Sequence, residues 1–458
     1  MSSCRKILTA GSAVLAIATM LLAAPAHAAT TPLPLNIVTI GDSYASGEGD
    51  IGSGWIDPAC QRSAGAASQR AAGQLERVWP VNFTSFACLG SVIDPAEGNP
   101  SAQTLLGSNG QLSRVDPGGN TRVDALTISI GGNDIGFANI VTACSLSSNP
   151  CPANTNVTGP LASALSKLPG YLGNLITAIN SRPDISNVFL TAYPDPTTGP
   201  GLPFNTSGLC GIWGPDPGFE GFGLISQTDS AWASSSVVAP LNAALQAAVN
   251  TANSQSGSHA AWHFESAISS AFSGHGFCTG VGSPDYLTWP TPRYVSTPVD
   301  SQTSQGDIKG SMHPNDLGQQ VIANIIYHSY LSLVSTPLTD VATALCLDSD
   351  DTGAVYTLGC NGGNYQQWLL KPVAGYTSEY NIIDGQTARC LDSNGSGQIY
   401  TLPCNGGNYQ NWNMTPASST PDQFQDMATQ FCLDSNTSGQ VYTLSCNGGN
   451  YQHWQRSS

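Results

Sequence analysis

Asn36-Ile37-Val38-Thr39-Ile40-Gly41-Asp42-Ser43 is a short apolar, β-branched run that stops on glycine, aspartate and serine. Such a run reads as a buried strand. Gly41 frees the backbone for a tight turn before the Ser43 hydroxyl. In open α/β sheets, groups just beyond the carboxyl ends of strands face the ligand crevice. Two later fragments share that placement. Gly131-Gly132-Asn133-Asp134 closes the apolar run 124–130, and Ser311-Met312-His313-Pro314-Asn315 precedes the last helical stretch of the N-terminal two thirds. A serine, an asparagine and a histidine at element edges can serve as nucleophile, oxyanion donor and base.

Further strands are read at 81–87, 124–130, 188–193 and 260–264, and helices at 68–78, 137–143, 161–179, 237–253 and 316–333. Strands alternating with helices predict an α/β fold, a parallel sheet with helices on both faces in three layers. The glycine-rich stretch 46–55 reads as a loop and a cleft wall. Residues 194–228 and 274–310 read as irregular. The first is long for a compact domain, which makes it a wall or lid.

The chain has 458 residues, room for two or three domains. Residues 1–28 read as a secretory signal peptide: Arg5 and Lys6, an apolar stretch, then Ala26-His27-Ala28 as a small-x-small cleavage site. Its loss leaves 12 basic against 30 acidic residues, a net charge of −18. That surface repels polyphosphate, which argues against nucleic acid as a partner. No later run is apolar and long enough for a transmembrane anchor. The expected location is extracellular, as a monomer. The 12 cysteines left after the leader divide evenly, six before residue 335 and six after it, as disulfides formed in an oxidising space require.

Past residue 335 a unit recurs three times. Cys346-Leu347-Asp348, Cys390-Leu391-Asp392 and Cys432-Leu433-Asp434 each lead to Tyr-Thr-Leu-x-Cys and Asn-Gly-Gly-Asn-Tyr-Gln-x-Trp. The two cysteines of each unit stand 14 apart. The economical pairing is therefore internal: Cys346–Cys360, Cys390–Cys404 and Cys432–Cys446. Three β-rich repeats must stack to bury their leucines and tryptophans in one core.

A serine hydroxyl needs a base. His27 leaves with the leader and His453 lies in a repeat. His259 and His263 flank a strand, and His328 is on a helix face. His275 and His313 remain on loops, and His313, stiffened by Pro314, is the stronger candidate. Asn133 offers a side-chain N–H to an oxyanion, with the Ser43 and Gly90 amides as companions. Its plainer reading is a turn residue. No metal and no cofactor are called for.

Gly41-Asp42-Ser43, Gly90, Gly131-Gly132-Asn133-Asp134 and His313-Pro314 together resemble the SGNH, or GDSL, family of serine esterases and lipases. The longer strings Gly-Asp-Ser-Tyr-Ala-Ser-Gly-Glu-Gly and Gly-Gly-Asn-Asp-Ile-Gly-Phe are similar to its secreted actinobacterial branch of esterases, lipases and phospholipases. The resemblance implies an SGNH-hydrolase catalytic domain over 33–333. Ser43 would be nucleophile, His313 base, and Ser43, Gly90 and Asn133 the oxyanion hole. It also implies Cys60–Cys88, Cys144–Cys151 and Cys210–Cys278 as disulfides. The family's Asp-x-x-His is absent, because Gly310 stands three before His313. A backbone carbonyl of Ser311 or Gly310 would orient the imidazole, with Asp307 and then Asp316 as fallback acids.

Residues 336–458, with Gln-x-Trp three times, resemble ricin-type β-trefoil lectins and xylan-binding modules. The resemblance implies an all-β trefoil whose Asp348, Asp392 and Asp434 grip sugar. The aromatic usual two residues before the second cysteine is Leu358, Leu402 or Leu444 here. Any stacking role would fall to Tyr365, Tyr409 or Tyr451. Trp55, Ile56, Ile135, Phe137, Ile140, Phe204 and Trp213 are read as apolar walls of an acyl site. The expected activity is lipase- or phospholipase-type cleavage of lipid esters, with a possible carbohydrate ligand at the trefoil. The alternative is a carbohydrate acetylesterase brought to polysaccharide by the trefoil, and a third class is a binding protein on a dead catalytic fold.

Overall fold

The structure, a computed structural model, describes residues 32–50, 52, 54–94, 103–119, 121–146, 150–197, 209–210, 225–277, 292–415 and 421–456. The leader, Phe204 and Trp213 lie outside the described residues, as does the Cys210–Cys278 pair.

Strand β1 (Leu35–Gly41) sits between β2 (Val81–Ser85) and β3 (Ala125–Ser129). Strands β4 (Asn187–Thr191) and β5 (Ala261–Glu265) extend the sheet beyond β3. The order is β2-β1-β3-β4-β5, with every pairing parallel. Parallel neighbours need crossovers, and helices supply them. The helices include α1 (Ser43–Ser46), α2 (Ala67–Glu76), α3 (Phe137–Leu146), α4 (Thr155–Asn180), α5 (Ala239–Ser254), α6 (Pro298–Gln305) and α7 (Asp316–Leu331).

Alternation along β1 builds the layers. Val38 and Ile40 pack with Leu172 and Ile176 of α4 and Leu241 and Leu245 of α5. Leu35 and Ile37 pack on the other face with Ala71 and Leu75 of α2 and Ile322 and Ile326 of α7. The chain runs from β1 outward to β2 and then back across β1 to β3. The strand order therefore reverses between β1 and β3, and the crevice opens at their carboxyl ends.

Three readings of the chain need correction. Helix α4 starts at Thr155, not 161, because Asn154 caps it by accepting the Asn156 N–H at 3.1 Å. The helix expected over 237–253 is preceded by another, Gln227–Ala233, entered through the Ser226 hydroxyl, which accepts the Asp229 N–H at 3.0 Å. The stretch 274–310 contains α6, closed at its start by a reciprocal Thr297–Asp300 capping box. That helix, Pro-Val-Asp-Ser-Gln-Thr-Ser-Gln, has one aliphatic residue and no apolar stripe, so periodicity gives no sign of it.

The C-terminal part is an all-β trefoil. Each repeat carries a hairpin: Cys346–Ser349 with Val355–Leu358, Cys390–Ser393 with Ile399–Leu402, and Phe431–Ser435 with Val441–Ser445. Trp368, Trp412 and Trp454 are fully buried in the shared core with Leu347, Leu391 and Leu433. Each indole N–H donates to one of those leucine carbonyls, at 2.9, 3.1 and 3.2 Å, so the polar edge of each ring is satisfied. Among the described residues five disulfides are formed: Cys60–Cys88, Cys144–Cys151, Cys346–Cys360, Cys390–Cys404 and Cys432–Cys446. Among the described residues no helix is long and apolar enough to cross a membrane.

Candidate active site

The end of β1 is held by glycine and glutamine. Gly41 has φ +138°, and a Cβ there would meet the Ser129 carbonyl oxygen at 2.2 Å. Only glycine lets β1 turn this close to β3. The Gly41 N–H donates to Gln111 Oε1 at 2.7 Å, while Gln111 Nε2 donates to the Gly41 carbonyl and to Ser91 Oγ, both at 2.9 Å. This fully buried glutamine was not singled out in the sequence. A glutamine in a polar stretch reads as surface, and nothing local signals otherwise.

Asp42 then caps α1, accepting the Tyr44 N–H at 3.0 Å, and Ser43 is the first residue of that single turn. Gly47, at φ +86°, ends it. The Asp42 carboxylate is buried and also accepts the Tyr193 hydroxyl. Burial pushes its pKa up to about 7, although the Tyr193 and Tyr44 hydrogen bonds work the other way.

His313 arrives on a loop tied down from three sides. Its carbonyl accepts the Ser296 N–H at 2.8 Å, its own N–H donates to the Gly310 carbonyl at 3.1 Å, and the Tyr44 hydroxyl donates to the Met312 carbonyl at 2.9 Å. Asn315 caps α7 by accepting the Gly318 N–H at 3.0 Å. Met312 takes φ +65°, a strained value that turns the imidazole toward Ser43.

His313 Nε2 lies 2.7 Å from Ser43 Oγ, and His313 Nδ1 lies 3.1 Å from the Ser311 carbonyl. A carbonyl can only accept, so Nδ1 carries the proton. Nε2 of the neutral ring is then the acceptor for the serine hydroxyl. Burial lowers the His313 pKa to about 4, against the hydrogen bonds to the Ser311 and Lys309 carbonyls, which raise it. The base is therefore neutral across the physiological range.

Of the orienting groups expected, Ser311 supplies the contact. Gly310 takes the backbone N–H of His313 instead. The fallback acids are committed elsewhere. Asp307 accepts from Gln61 Nε2 and Gln305 Nε2, both at 2.9 Å, and from the Lys309 N–H at 3.0 Å. Asp316 pairs with Arg70 at 2.5 Å.

Asn133 follows β3, whose Ser129 is in register with Gly41 of β1, and this brings Asn133 into the cleft beside Ser43. Its Nδ2 donates to the Ser91 carbonyl at 2.9 Å, which fixes the amide and leaves its second N–H for a ligand. Gly90 takes φ +71° on an exposed turn and is not among the residues that line the cleft. Among the described residues no backbone carbonyl takes the Ser43 or Gly90 N–H.

The cleft has a volume of about 210 Å³. Phe137, Ala138 and Val141 of α3 form one wall, Ile308 and Lys309 another, and Tyr44 and Tyr193 the floor. Of the expected apolar walls that lie among the described residues, Phe137 lines it and Trp55, Ile56, Ile135 and Ile140 do not. Ile135 and Ile140 are buried core. Trp55 and Ile56 belong to a small hairpin with Arg62–Ser63, and Ile56 is 58% exposed. His275 stacks on Tyr294 at 3.9 Å and faces the Pro292 carbonyl, away from the cleft.

In the trefoil, Asp348, Asp392 and Asp434 are buried. Each accepts the amide of its own repeat's Gln366, Gln410 or Gln452 at 2.8 Å. They brace the Gln-x-Trp loops and present almost no surface.

The chain thus joins a lipase-like α/β domain to a trefoil of the lectin class. Residues 378–458 match the ricin-type β-trefoil lectin domain family. A lipase of Streptomyces rimosus is 26% identical over 318 residues, covering 67% of this chain and 95% of that protein. Lipase 1 of Streptomyces coelicolor is 32% identical over 191 residues, 41% of this chain and 61% of that protein. The crystal structure of the extracellular lipase of Streptomyces rimosus aligns with a TM-score of 0.42 at 22% identity, covering 63% of this chain and 98% of that chain.

Proposed function

We propose that the protein is a secreted serine ester hydrolase of the SGNH type that cleaves carboxylic esters of lipids through an acyl-enzyme on Ser43. The observation that carries this reading is the 2.7 Å contact between Ser43 Oγ and His313 Nε2, with Nδ1 held on the Ser311 carbonyl. His313 takes the serine proton as Ser43 Oγ attacks the ester carbonyl. Negative charge then develops on the carbonyl oxygen. The Ser43 N–H, the second N–H of Asn133 and the Gly90 N–H are its proposed donors. The imidazolium protonates the departing alcohol, and water repeats the cycle on the acyl-enzyme. The Ser311 carbonyl fixes the tautomer as a triad aspartate does, with less charge to offer the imidazolium.

The apolar wall of Phe137, Ala138 and Val141 supports an acyl chain as the group bound next to Ser43. The N-terminal leader and the extracellular relative support secretion. The trefoil favours a second reading, an acetylesterase acting on acetylated polysaccharide, and makes carbohydrate the expected ligand of the C-terminal domain.

The test is a set of initial rates by the mature protein and its Ser43→Ala variant. The substrates are phosphatidylcholine, a long-chain triglyceride, a short-chain nitrophenyl ester and acetylated xylan. Fatty acid release lost in Ser43→Ala supports the lipid reading, and the phospholipid-to-triglyceride ratio names the substrate. Acetate from xylan as the dominant product replaces it with the acetylesterase. Full activity in Ser43→Ala removes the nucleophile assignment.

A further inference from the structure

The three trefoil repeats share one loop sequence, so a difference in what covers those loops carries information. Each presents a loop Asn-Gly-Gly-Asn-Tyr-Gln, with Tyr365, Tyr409 or Tyr451 beside the bracing glutamine. The loop backbones match. The N–H groups of Gln366, Gln410 and Gln452 donate to the carbonyls of Gly363, Gly407 and Gly449 at 3.0, 2.9 and 2.9 Å.

The first loop is occupied. Asn364 is buried, and its amide donates to His328 Nε2 of α7 at 3.0 Å and to Gln386 Oε1 at 3.1 Å. The Tyr365 hydroxyl donates to Asp351 at 2.5 Å. The other two loops are open. Asn408 and Asn450 are exposed, Tyr409 and Tyr451 are 44% and 37% exposed, and the counterparts of Asp351 are Gly395 and Thr437.

Helix α7 of the α/β domain covers the first loop. Leu331 is fully buried in one cluster with Leu369, Ile383 and Cys390 of the trefoil. The Tyr327 hydroxyl donates to the Gly385 carbonyl at 2.9 Å, and Ser335–Thr336 pairs as a strand with Trp368 and Leu369. Gly385 breaks the repeat, since the equivalent residues are Val341 and Met427. A Cβ on Gly385 would meet Leu331 Cδ2 at 2.6 Å and the Gln367 carbonyl oxygen at 2.8 Å. Gln386, the partner of Asn364, stands where the other repeats have Ala342 and Ala428. The sequence departs from threefold symmetry where the helix sits.

We infer that the trefoil carries two carbohydrate-contact surfaces, the Asn408–Tyr409 and Asn450–Tyr451 loops, and that the Asn364–Tyr365 loop is given over to docking the α/β domain. The inference rests on the carbohydrate reading of the trefoil above. An exposed tyrosine ring can lie against the C–H face of a pyranose, and the neighbouring asparagine amide has donors and an acceptor for its hydroxyls. The buried Asp392 and Asp434 hold these loops through Gln410 and Gln452 rather than reaching the sugar. Two surfaces on one rigid body engage a polysaccharide bivalently. The packed dock holds the catalytic cleft at a fixed orientation to that polymer.

The test uses the full chain, depleted from solution onto insoluble xylan, galactan and chitin. Tyr365→Ala keeps wild-type retention within about twofold, Tyr409→Ala and Tyr451→Ala each weaken it about tenfold, and the double variant loses it. Equal loss in Tyr365→Ala, or retention by the double variant, overturns the two-surface assignment. Failure of the wild-type chain to bind any of the three polymers overturns the carbohydrate reading itself. Hydrogen exchange reads the dock without sugar. Amides of 364–367 exchange about tenfold more slowly than those of 408–411 and 450–453, and Gly385→Met brings the three loops together. Equal exchange in the wild-type chain overturns the dock.

Discussion

The Tyr193 phenol donates its O–H to the buried Asp42 carboxylate and accepts the Gly132 N–H at 2.9 Å. One side chain from the end of β4 thus ties the end of β1, which carries Ser43, to the end of β3, which carries Asn133. Tyr193→Phe removes one donor from the buried Asp42 carboxylate and takes the partner of the buried Gly132 N–H away. We expect a loss of about 1–3 kcal/mol in urea unfolding and a roughly tenfold fall in kcat as Asn133 loosens. A stability loss with unchanged kcat would make the tie structural only.

The Asp42 carboxyl is pushed up from 3.8 to about 7, chiefly by burial. Between those values the folded protein keeps a proton that the unfolded chain has lost. Stability therefore falls as pH rises through that window and levels off above it. Asp42→Asn cannot ionise. The unfolding free energy of the variant minus that of the wild type should grow from pH 4 to pH 7, by an amount on the order of 4 kcal/mol. Glu48 and His313 titrate in both proteins and cancel in the difference. A difference independent of pH would mean that Asp42 is charged throughout.

His313 sits near 4 because burial disfavours the imidazolium. A base works unprotonated, so kcat/KM should hold level from neutral pH downward and fall only below about pH 4. For kcat/KM this limb reports the free enzyme. Rates on a soluble nitrophenyl ester from pH 3 to 9 would show it. A limb centred at 6.5 would mean the ring is solvated in the working enzyme.

Asp307 lies two links from the chemistry. Burial raises its pKa, but the Gln305, Lys309 N–H and Gln61 hydrogen bonds hold it net below the ordinary carboxylate value. Gln305 also donates to Glu48, so Asp307 helps clamp the base loop to the loop after Ser43. Asp307→Asn should lower kcat by less than about tenfold. An orienting acid lost from a triad costs about 10⁴. A thousandfold loss with the fold intact would return Asp307 to that role.

The strand ends were legible because β-branched runs stopping on glycine leave few other readings. Ser43 and Asn133 stand out because each follows such a stop, and His313 because it sits on a loop stiffened by Pro314 just before a helix. Gln111, Tyr44 and Tyr193 were not legible, since their meaning depends on which strands are neighbours. Tyr193 reaches Asp42 only because β4 lies beside β3 and β3 beside β1. Trp55 and Ile56 were misread as walls because a hairpin with Arg62–Ser63 carries them off the crevice. The three aspartates of the trefoil repeats match a ligand position in sequence, yet burial beneath the Gln-x-Trp glutamine is a property of the stacked repeats. Gly385 looks like an ordinary turn glycine until α7 is placed against it.

Phe137 separates two spaces. It lines the cleft beside Ser43, and its ring also borders an apolar cavity of about 30 Å³ behind α3 with Ile140, Ile225, Val237, Val238 and Met312. An acyl chain on Ser43 that passes Phe137 would enter surfaces without a polar demand, each CH₂ buried contributing about 0.8 kcal/mol. Phe137→Ala removes the partition. The ratio of kcat/KM for decanoate over butyrate nitrophenyl esters should rise about tenfold. Butyrate itself, too short to reach the opening, should change little. A uniform fall across chain lengths would mean that the ring positions the ester rather than bounding the chain, and the acyl group would then lie along Ile308 on the opposite wall.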